Sequence, residues 1–298
     1  MAEPEDDPAE VEVSVVQPFA GTALLDFLLR HRVAGMETGR VTPDGRADYA
    51  RTVRLPHGPG VVRVAWDGRR LTCRLDVDPR DRATALTRVR QLVDADADVA
   101  AVDAHLGADP HLADLVRATP GLRVPGVLEA EEMVFRTVIG QQISLASAST
   151  SAGTIARRHG DHLLRPDSSV TGDDDLSLLF PTAEVLAAVD PTTLPMPRAR
   201  GRAMVALAER LAEGRIDLTA EPAAVRASLL ACPGIGPWTA DYVLMRVCHA
   251  PDVLLRTDLV IARQLTARGV GDPSAWSPYR SYAALHLWHA FLNPTCQN

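Results

Sequence analysis

The hydrophobic pattern of this 298-residue chain changes near residue 126, and this change limits the folds that it can adopt. Before that point, short apolar runs at 61–66 and 71–77 are joined by Asp67-Gly68, a dipeptide typical of β-hairpin turns. After it, apolar residues recur at helical spacing, and the connectors carry Pro, Gly and Asp. Strands followed only by helices indicate an α+β chain rather than alternating βαβ units.

These patterns predict three segments. Residues 1–10 are acidic, contain proline and have nothing to bury, so we expect a disordered tail. Residues 11–125 are predicted to form an N-terminal α+β domain, an antiparallel sheet with flanking helices, and residues 126–298 an all-α domain. We place strands at 11–15, 52–55, 61–66 and 71–77, a helix at 23–33, helical structure over 81–118, and helices at 129–158, 182–189, 198–213, 222–231, 237–248, 258–268 and 278–291.

Net charge does not identify the partner. The formal net charge is −7, but the first ten residues carry −5 of it, which leaves −2 for residues 11–298. Local patches therefore decide whether the chain binds an acidic polymer. No apolar window is long enough to span a membrane, and the start lacks a signal-peptide pattern. Four dispersed cysteines are typical of a reducing compartment, so we expect a cytoplasmic protein, with a monomer as the default state.

The residue inventory excludes some chemistry. The chain contains no lysine, and all 31 basic residues are arginines, so a mechanism through a lysine Schiff base is ruled out. His286 and His289 are three residues apart on a predicted helix, but no Asp, Glu or Cys lies at matching spacing. We therefore predict no metal site.

A short glycine-containing connector, Pro233-Gly234-Ile235-Gly236, lies between two predicted helices. The glycines allow positive φ and leave bare backbone amides at a surface, which suits binding of a phosphate without regard to base sequence. Ile235 would point back between the two helices and hold them together. Taken alone, the connector is equally consistent with an ordinary helix–helix turn.

Asp258 follows this connector by 22 positions and opens the apolar helix LVIARQL. An Asp at this position is usually an N-cap. The helix dipole and amide donors also favour an ionised carboxylate there, which is the group that a sugar oxocarbenium ion needs nearby. Capping and catalysis both remain open for Asp258 on this pattern.

Six stretches of the chain, in order, resemble the helix–hairpin–helix DNA glycosylase superfamily, and within it the AlkA-type DNA-3-methyladenine glycosylase II. The resemblance covers about residues 11–292. The stretches that carry it are YARTVRL (49–55), LRVPGVLEAEE (122–132), TVIGQQIS (137–144), PGIGPWTADY (233–242), TDLVIARQ (257–264) and WSPYRSYAALHLW (276–288).

The resemblance implies a catalytic residue and a DNA-binding hairpin. Asp258 matches the catalytic aspartate of the family. Gly234, Ile235 and Gly236 match the hairpin whose amides hold DNA phosphate, in the family often through a monovalent cation. Gln142 matches the position whose side chain fills the gap left by a flipped-out nucleotide. No other cofactor is implied.

The resemblance also implies an aromatic pocket for the flipped base. Trp238, Tyr242 and Trp276 match pocket residues, and Phe27 from the N-terminal region joins them once a one-residue gap is allowed. Electron-rich rings of this kind attract a cationic base by about 0.5–2 kcal/mol each. Core packing is the alternative role for Trp276 and Tyr242.

The function implied is that of a monofunctional glycosylase, which excises alkylated bases such as 3-methyladenine and 7-methylguanine from double-stranded DNA. At the position of Trp238, related bifunctional enzymes carry a Schiff-base lysine, and this argues against an oxidised-base glycosylase with lyase activity. Arg246, Arg263 and Arg280 are candidate phosphate contacts, and each is also explained as a structural residue. The alternative function is a helix–hairpin–helix protein that binds lesions without turnover.

Overall fold

A computed structural model describes residues 10–163 and 176–293 of the chain. The predicted acidic tail therefore lies outside the described residues, except for Glu10. That residue opens the first strand, so the predicted tail extends one residue too far.

The N-terminal half contains the predicted antiparallel sheet. Its five strands are β1 (Glu10–Glu12), β2 (Glu37–Val41), β3 (Ala47–Leu55), β4 (Gly58–Trp66) and β5 (Leu71–Asp76). They lie in the order β1-β5-β4-β3-β2. The strand β2 was not predicted, because its sequence ETGRV has no alternation of apolar residues. It also contains Gly39, where a Cβ would lie 2.2 Å from the carbonyl oxygen of Asp48 on the neighbouring strand.

Twelve α-helices are described, and none of the described helices is long and apolar enough to span a bilayer. The α+β class and the helical second half are confirmed. The helices are α1 (Gly21–Arg30), α2 (Arg82–Leu92), α3 (Val99–Gly107), α4 (Ala113–Ala118), α5 (Ala130–Ile139), α6 (Leu145–His159), α7 (Ala183–Ala187), α8 (Arg198–Ala212), α9 (Pro222–Leu230), α10 (Pro237–Arg246), α11 (Leu259–Ala267) and α12 (Arg280–Leu292).

The predicted single helix at 129–158 is wrong, because the structure has two helices there, α5 and α6. Gln142 adopts φ +58°, a left-handed conformation that a right-handed helix cannot include. Two residues later, the Ser144 side chain accepts a hydrogen bond from the backbone N–H of Ser147 and caps α6. The turn between the helices exposes residues 142–145.

The hydrophobic cores do not follow the predicted division at residue 126. One cluster contains Val102 and Leu106 of α3 together with Met245 of α10, Ile261 of α11 and Leu287 of α12. The two segments are therefore packed against each other through α3 and α4, and the helices near Asp258 rest on residues from the N-terminal half.

A buried ionic network ties the sheet to α5. Arg51 on β3 binds Glu132 on α5 at 2.6 Å, and Arg136 on the next turn of α5 binds Glu132 at 2.9 Å and Glu37 of β2 at 3.0 Å. The hydroxyl of Tyr49 donates to Glu37 at 2.7 Å. Because a buried charge is costly unless it is paired and hydrogen-bonded, this network fixes the position of α5 on the sheet.

His286 is a buried titratable group on α12. It is 1 % exposed, and its Nε2 has no hydrogen-bond partner among the described residues. Burial lowers the pKa of His286 to about 4, and the neighbouring His289 adds to the lowering. The unfolded chain, where the ordinary value of about 6.5 applies, therefore binds the proton more readily, and stability falls as the pH falls from 6.5 toward 4.

We predict that His286→Leu reduces the acid sensitivity of the fold. Between pH 6.5 and 5, the free energy of unfolding of the variant should fall by about 1.5 kcal/mol less than that of the wild type. Urea unfolding at both pH values measures the difference, with the exposed His162→Leu as the matched control. Equal pH dependence in the wild type and His286→Leu would contradict the assignment.

Candidate active site

Asp258 occupies the N-cap of α11, as its sequence position predicts. Its Oδ1 accepts hydrogen bonds from the backbone N–H groups of Val260 and Ile261, each at 3.0 Å. The side chain is half-buried. The capping interaction uses one carboxylate oxygen and holds the side chain in a fixed orientation at the positive end of the helix dipole.

Two tryptophans complete the hydrogen bonding of this carboxylate. The indole N–H of Trp238 on α10 donates to Oδ2 at 3.2 Å, and that of Trp288 on α12 donates to Oδ1 at 3.1 Å. With the two backbone amides, four N–H donors surround Asp258. Together these hydrogen bonds fix the positions of both carboxylate oxygens.

Trp288 was not among the predicted site residues. It is the last residue of the stretch 276–288 that carries part of the family resemblance, so a signal was present in the sequence. The aromatic position chosen from that stretch was its first residue, Trp276. The contact between Trp288 and Asp258 could not be derived from the sequence spacing alone, because it depends on how α11 and α12 pack.

Trp276 lies in the core. It is 1 % exposed and belongs to the cluster that also contains Met245, Tyr282 and Leu285. This placement favours core packing, the alternative left open for Trp276, over a surface that could contact a base.

The rings of Trp238 and Tyr242 stack on one face of α10. Their centroids are 5.3 Å apart and their planes differ by 8°, as the four-residue spacing on a helix allows. The ring of Trp288 meets Tyr242 edge to face at 6.1 Å. All three side chains are half-buried. Trp238, Tyr242 and Trp288 therefore form an aromatic cluster beside the Asp258 carboxylate, and this cluster remains partly open to solvent.

Phe27 joins this cluster through Arg246. The guanidinium carbon of Arg246 lies 5.1 Å from the ring centroid of Phe27 and 5.6 Å from that of Tyr242. Arg246 is 2 % exposed, so the suggestion that it contacts phosphate is wrong for this conformation. Arg280 instead binds Asp252 through two hydrogen bonds of 2.6 and 2.7 Å, whereas Arg263 is exposed.

The connector between α9 and α10 forms an exposed hairpin. Gly234 adopts φ +81°, and a Cβ there would lie 2.7 Å from the Cβ of Ala203 on α8. Gly236 is the N-cap of α10, and a Cβ there would meet nothing within 4 Å. Ile235 is buried among the helices, as predicted, so the glycines present backbone to solvent while Ile235 anchors the turn.

The turn at Gln142 lies next to this hairpin. The side-chain amide of the preceding residue, Gln141, donates to the hydroxyl of Thr239 at 2.9 Å and to the carbonyl of Gly234 at 3.3 Å. Gln142 itself is exposed, as are Ile143 and Leu145. An exposed residue in a left-handed conformation at a turn tip is available to contact a ligand bound at the hairpin.

Comparison with known proteins identifies the family. The sequence model described as the AlkA N-terminal domain matches residues 10–129. The chain is 31 % identical over 286 residues to DNA-3-methyladenine glycosylase 2 of Escherichia coli (strain K12), which covers 91 % of this chain and 94 % of that protein. It is also 37 % identical over 300 residues to the probable bifunctional transcriptional activator/DNA repair enzyme AlkA of Mycobacterium tuberculosis. That alignment covers 96 % of this chain and 58 % of the mycobacterial protein.

The chain therefore spans somewhat more than half the length of the mycobacterial relative. Among solved structures, the fold is similar to that of 3-methyladenine DNA glycosylase from Archaeoglobus fulgidus, with a TM-score of 0.72 at 16 % identity over 95 % of this chain and 98 % of that one. The sequence relatives and the shared fold agree with the resemblance found in the sequence. The chain belongs to the AlkA family of helix–hairpin–helix DNA glycosylases.

Proposed function

We propose that this protein releases alkylated purines, such as 3-methyladenine and 7-methylguanine, from duplex DNA and leaves an abasic site. The observation that carries the proposal is the environment of Asp258. Its carboxylate is held by four N–H donors beside three aromatic rings. A fixed anion next to electron-rich rings suits a reaction in which a cationic base leaves a sugar that becomes positively charged.

Alkylation of a purine at N3 or N7 makes the base cationic and a good leaving group, so the protein need not protonate it. Asp258 would stabilise the oxocarbenium-like sugar through its negative charge and orient or deprotonate the attacking water. Trp238, Tyr242 and Trp288 would contact the base. Recognition by charge and stacking tolerates bases of different shapes, so we expect a broad range of alkylated substrates.

The reaction requires the base to leave the helical stack. Flipping costs a few kcal/mol and costs less for a damaged base, which adds selectivity before the chemical step. The hairpin amides near Gly234 and Gly236 would hold the DNA backbone, and Gln142 would occupy the gap in the duplex. The hydrogen bonds of Gln141 place the turn at Gln142 next to the hairpin, and this arrangement supports the two roles.

We propose that a monovalent cation binds at the hairpin only when DNA is bound. Backbone carbonyl oxygens of residues 233–236 are the type of ligand that hard cations prefer. A Cβ at Gly236 would meet nothing within 4 Å, so the backbone there is open to a ligand. The chemical step at Asp258 does not depend on this ion.

We further propose that the enzyme is monofunctional. Cleavage of the DNA strand through a Schiff base needs an amine nucleophile, and the chain has no lysine side chain to supply it. Asp258 acting on water leaves the abasic site uncut. The name of the mycobacterial relative refers to transcriptional activation and DNA repair as its two functions and does not mention strand cleavage.

The test is base release from methylated duplex DNA with a separate measurement of strand breaks. Release of 3-methyladenine and 7-methylguanine without breaks is the expected result. Tight binding to damaged DNA without any released base would instead favour the alternative, a lesion-binding protein without turnover. Strand breaks at the lesion would contradict monofunctional action.

We predict that Asp258→Asn abolishes nearly all base release while DNA binding is retained. The amide keeps the size of the side chain but removes the negative charge that stabilises the sugar, and the rate should fall by at least about 100-fold. Single-turnover release and equilibrium DNA binding measure the two effects. Unchanged release in this variant would overturn the assigned mechanism.

Trp288→Phe and Trp276→Phe form a matched pair. We predict that Trp288→Phe lowers the rate of base release by about tenfold, because it removes one N–H donor from Asp258 at a cost of roughly 1–2 kcal/mol. Trp276→Phe should instead lower the thermal unfolding midpoint, because it leaves a space in the core. Equal effects of the two substitutions on the rate of release would contradict these separate roles.

We predict that Gly236→Ala weakens DNA binding without loss of stability. The added methyl group meets nothing within the protein but would stand between the hairpin amides and a phosphate, so the dissociation constant should rise by about fivefold, or roughly 1 kcal/mol. Gly271→Ala is the control, because a Cβ there also meets nothing. If both variants bind DNA as the wild type does, the hairpin is not the phosphate site.

A further inference from the structure

Arg246 is a buried cation without a carboxylate partner among the described residues. Its Nε donates to the carbonyl of Pro125, one Nη donates to the carbonyl of Gly126 at 3.2 Å, and the other donates to the hydroxyl oxygen of Tyr242 at 2.7 Å. All three acceptors are neutral. The guanidinium is therefore buried beside the aromatic cluster without an ion pair to a described residue.

The same guanidinium contacts two aromatic rings. It lies between Phe27 and Tyr242, at 5.1 and 5.6 Å from their centroids. Its charge is felt nearby, because burial lowers the pKa of His31 to about 4 and the charge of Arg246 adds to that lowering. Arg246 is thus anchored to the backbone at 125–126 and holds the Tyr242 ring against Trp238.

The polar hydrogens of the aromatic cluster differ in whether they have a hydrogen-bond acceptor. The indole N–H groups of Trp238 and Trp288 are both donated to Asp258. The Tyr242 oxygen accepts from Arg246, and its own hydrogen has no acceptor among the described residues. Because the guanidinium occupies one side of the oxygen, the O–H must point away from Arg246.

We propose that Arg246 is a positioning residue that directs the Tyr242 hydroxyl toward the flipped base, and that this hydroxyl determines how well neutral bases are released. The inference rests on the proposed function and adds a specificity role to one of its pocket residues. A hydroxyl that already accepts from a cation is a stronger donor, because linked hydrogen bonds polarise one another.

The charge of the leaving base explains why the effect is selective. When the glycosidic bond breaks, its electron pair goes to the base. A cationic alkylated base becomes neutral and gains little from a donor, whereas a neutral base becomes negatively charged and is stabilised by a hydrogen bond from Tyr242. The hydroxyl donates a hydrogen bond in this step and keeps its proton.

The test compares two probes in otherwise identical duplexes, one with 7-methylguanine as a cationic base and one with hypoxanthine as a neutral base. We expect Tyr242→Phe to lower kcat/KM by about tenfold or more for hypoxanthine and by less than about threefold for 7-methylguanine. Tyr279→Phe removes a phenol oxygen from a ring that contacts His105 and Tyr282 and serves as the matched control.

Variants of Arg246 test the positioning role. Arg246→Met should lower the ratio of hypoxanthine to 7-methylguanine release as Tyr242→Phe does, and Arg246→Lys, which keeps a cationic donor, should restore part of it. Because Arg246 acts through the hydroxyl, Tyr242→Phe combined with Arg246→Met should change the ratio no further than Tyr242→Phe alone.

Equal losses on both probes in Tyr242→Phe would overturn the inference, since a ring that merely packs affects both bases. No loss on either probe would overturn it as well, and so would a wild type that releases 7-methylguanine but no hypoxanthine. A wild type that releases neither base would refute the proposed function instead. If Arg246→Met does not fold, the Tyr242→Phe ratio still decides the outcome.

Discussion

The carboxylate of Asp258 is the point at which three helices meet. It caps its own helix, α11, and accepts one indole N–H from α10 and one from α12. A carboxylate with four fixed donors cannot rotate without losing several hydrogen bonds, so the relative placement of the three helices and the orientation of the anion depend on each other. The capping role and the proposed catalytic role of Asp258 are therefore compatible, since each uses the same fixed orientation.

The N-terminal half contributes to this site by supporting it. Helices α3 and α4 share a core with α10 to α12, and the backbone at Pro125 and Gly126 accepts hydrogen bonds from Arg246. The network of Arg51, Glu132 and Arg136 holds α5 to the sheet. Through this network the sheet fixes the helix that leads into the turn at Gln142.

The sequence predicted the elements better than their junctions. The α+β class and the predicted hairpin turn at Asp67-Gly68 agree with the structure, because periodicity and turn residues act locally. The break in the helix at Gln142 was missed, since a non-glycine residue with positive φ leaves no compositional signal. Trp288 and the inward position of Arg246 depend on contacts between helices far apart in the chain, and no local pattern encodes them. Residue-by-residue resemblance selected Asp258 and Trp238, which are hydrogen-bonded in the structure, and also Trp276, which is buried in the core. It compares residue types and takes no account of how the helices pack.

Helix α10 carries the hairpin at its first turn and Arg246 at its last residue, with Trp238 and Tyr242 between them on one face. With a rise of about 1.5 Å per residue, this ten-residue helix is about 15 Å long. Inserting or deleting one residue within it would turn the rings by about 100° relative to the hairpin. Under the proposed function, the length of α10 would set the distance between the hairpin that binds the DNA backbone and the rings that contact the flipped base.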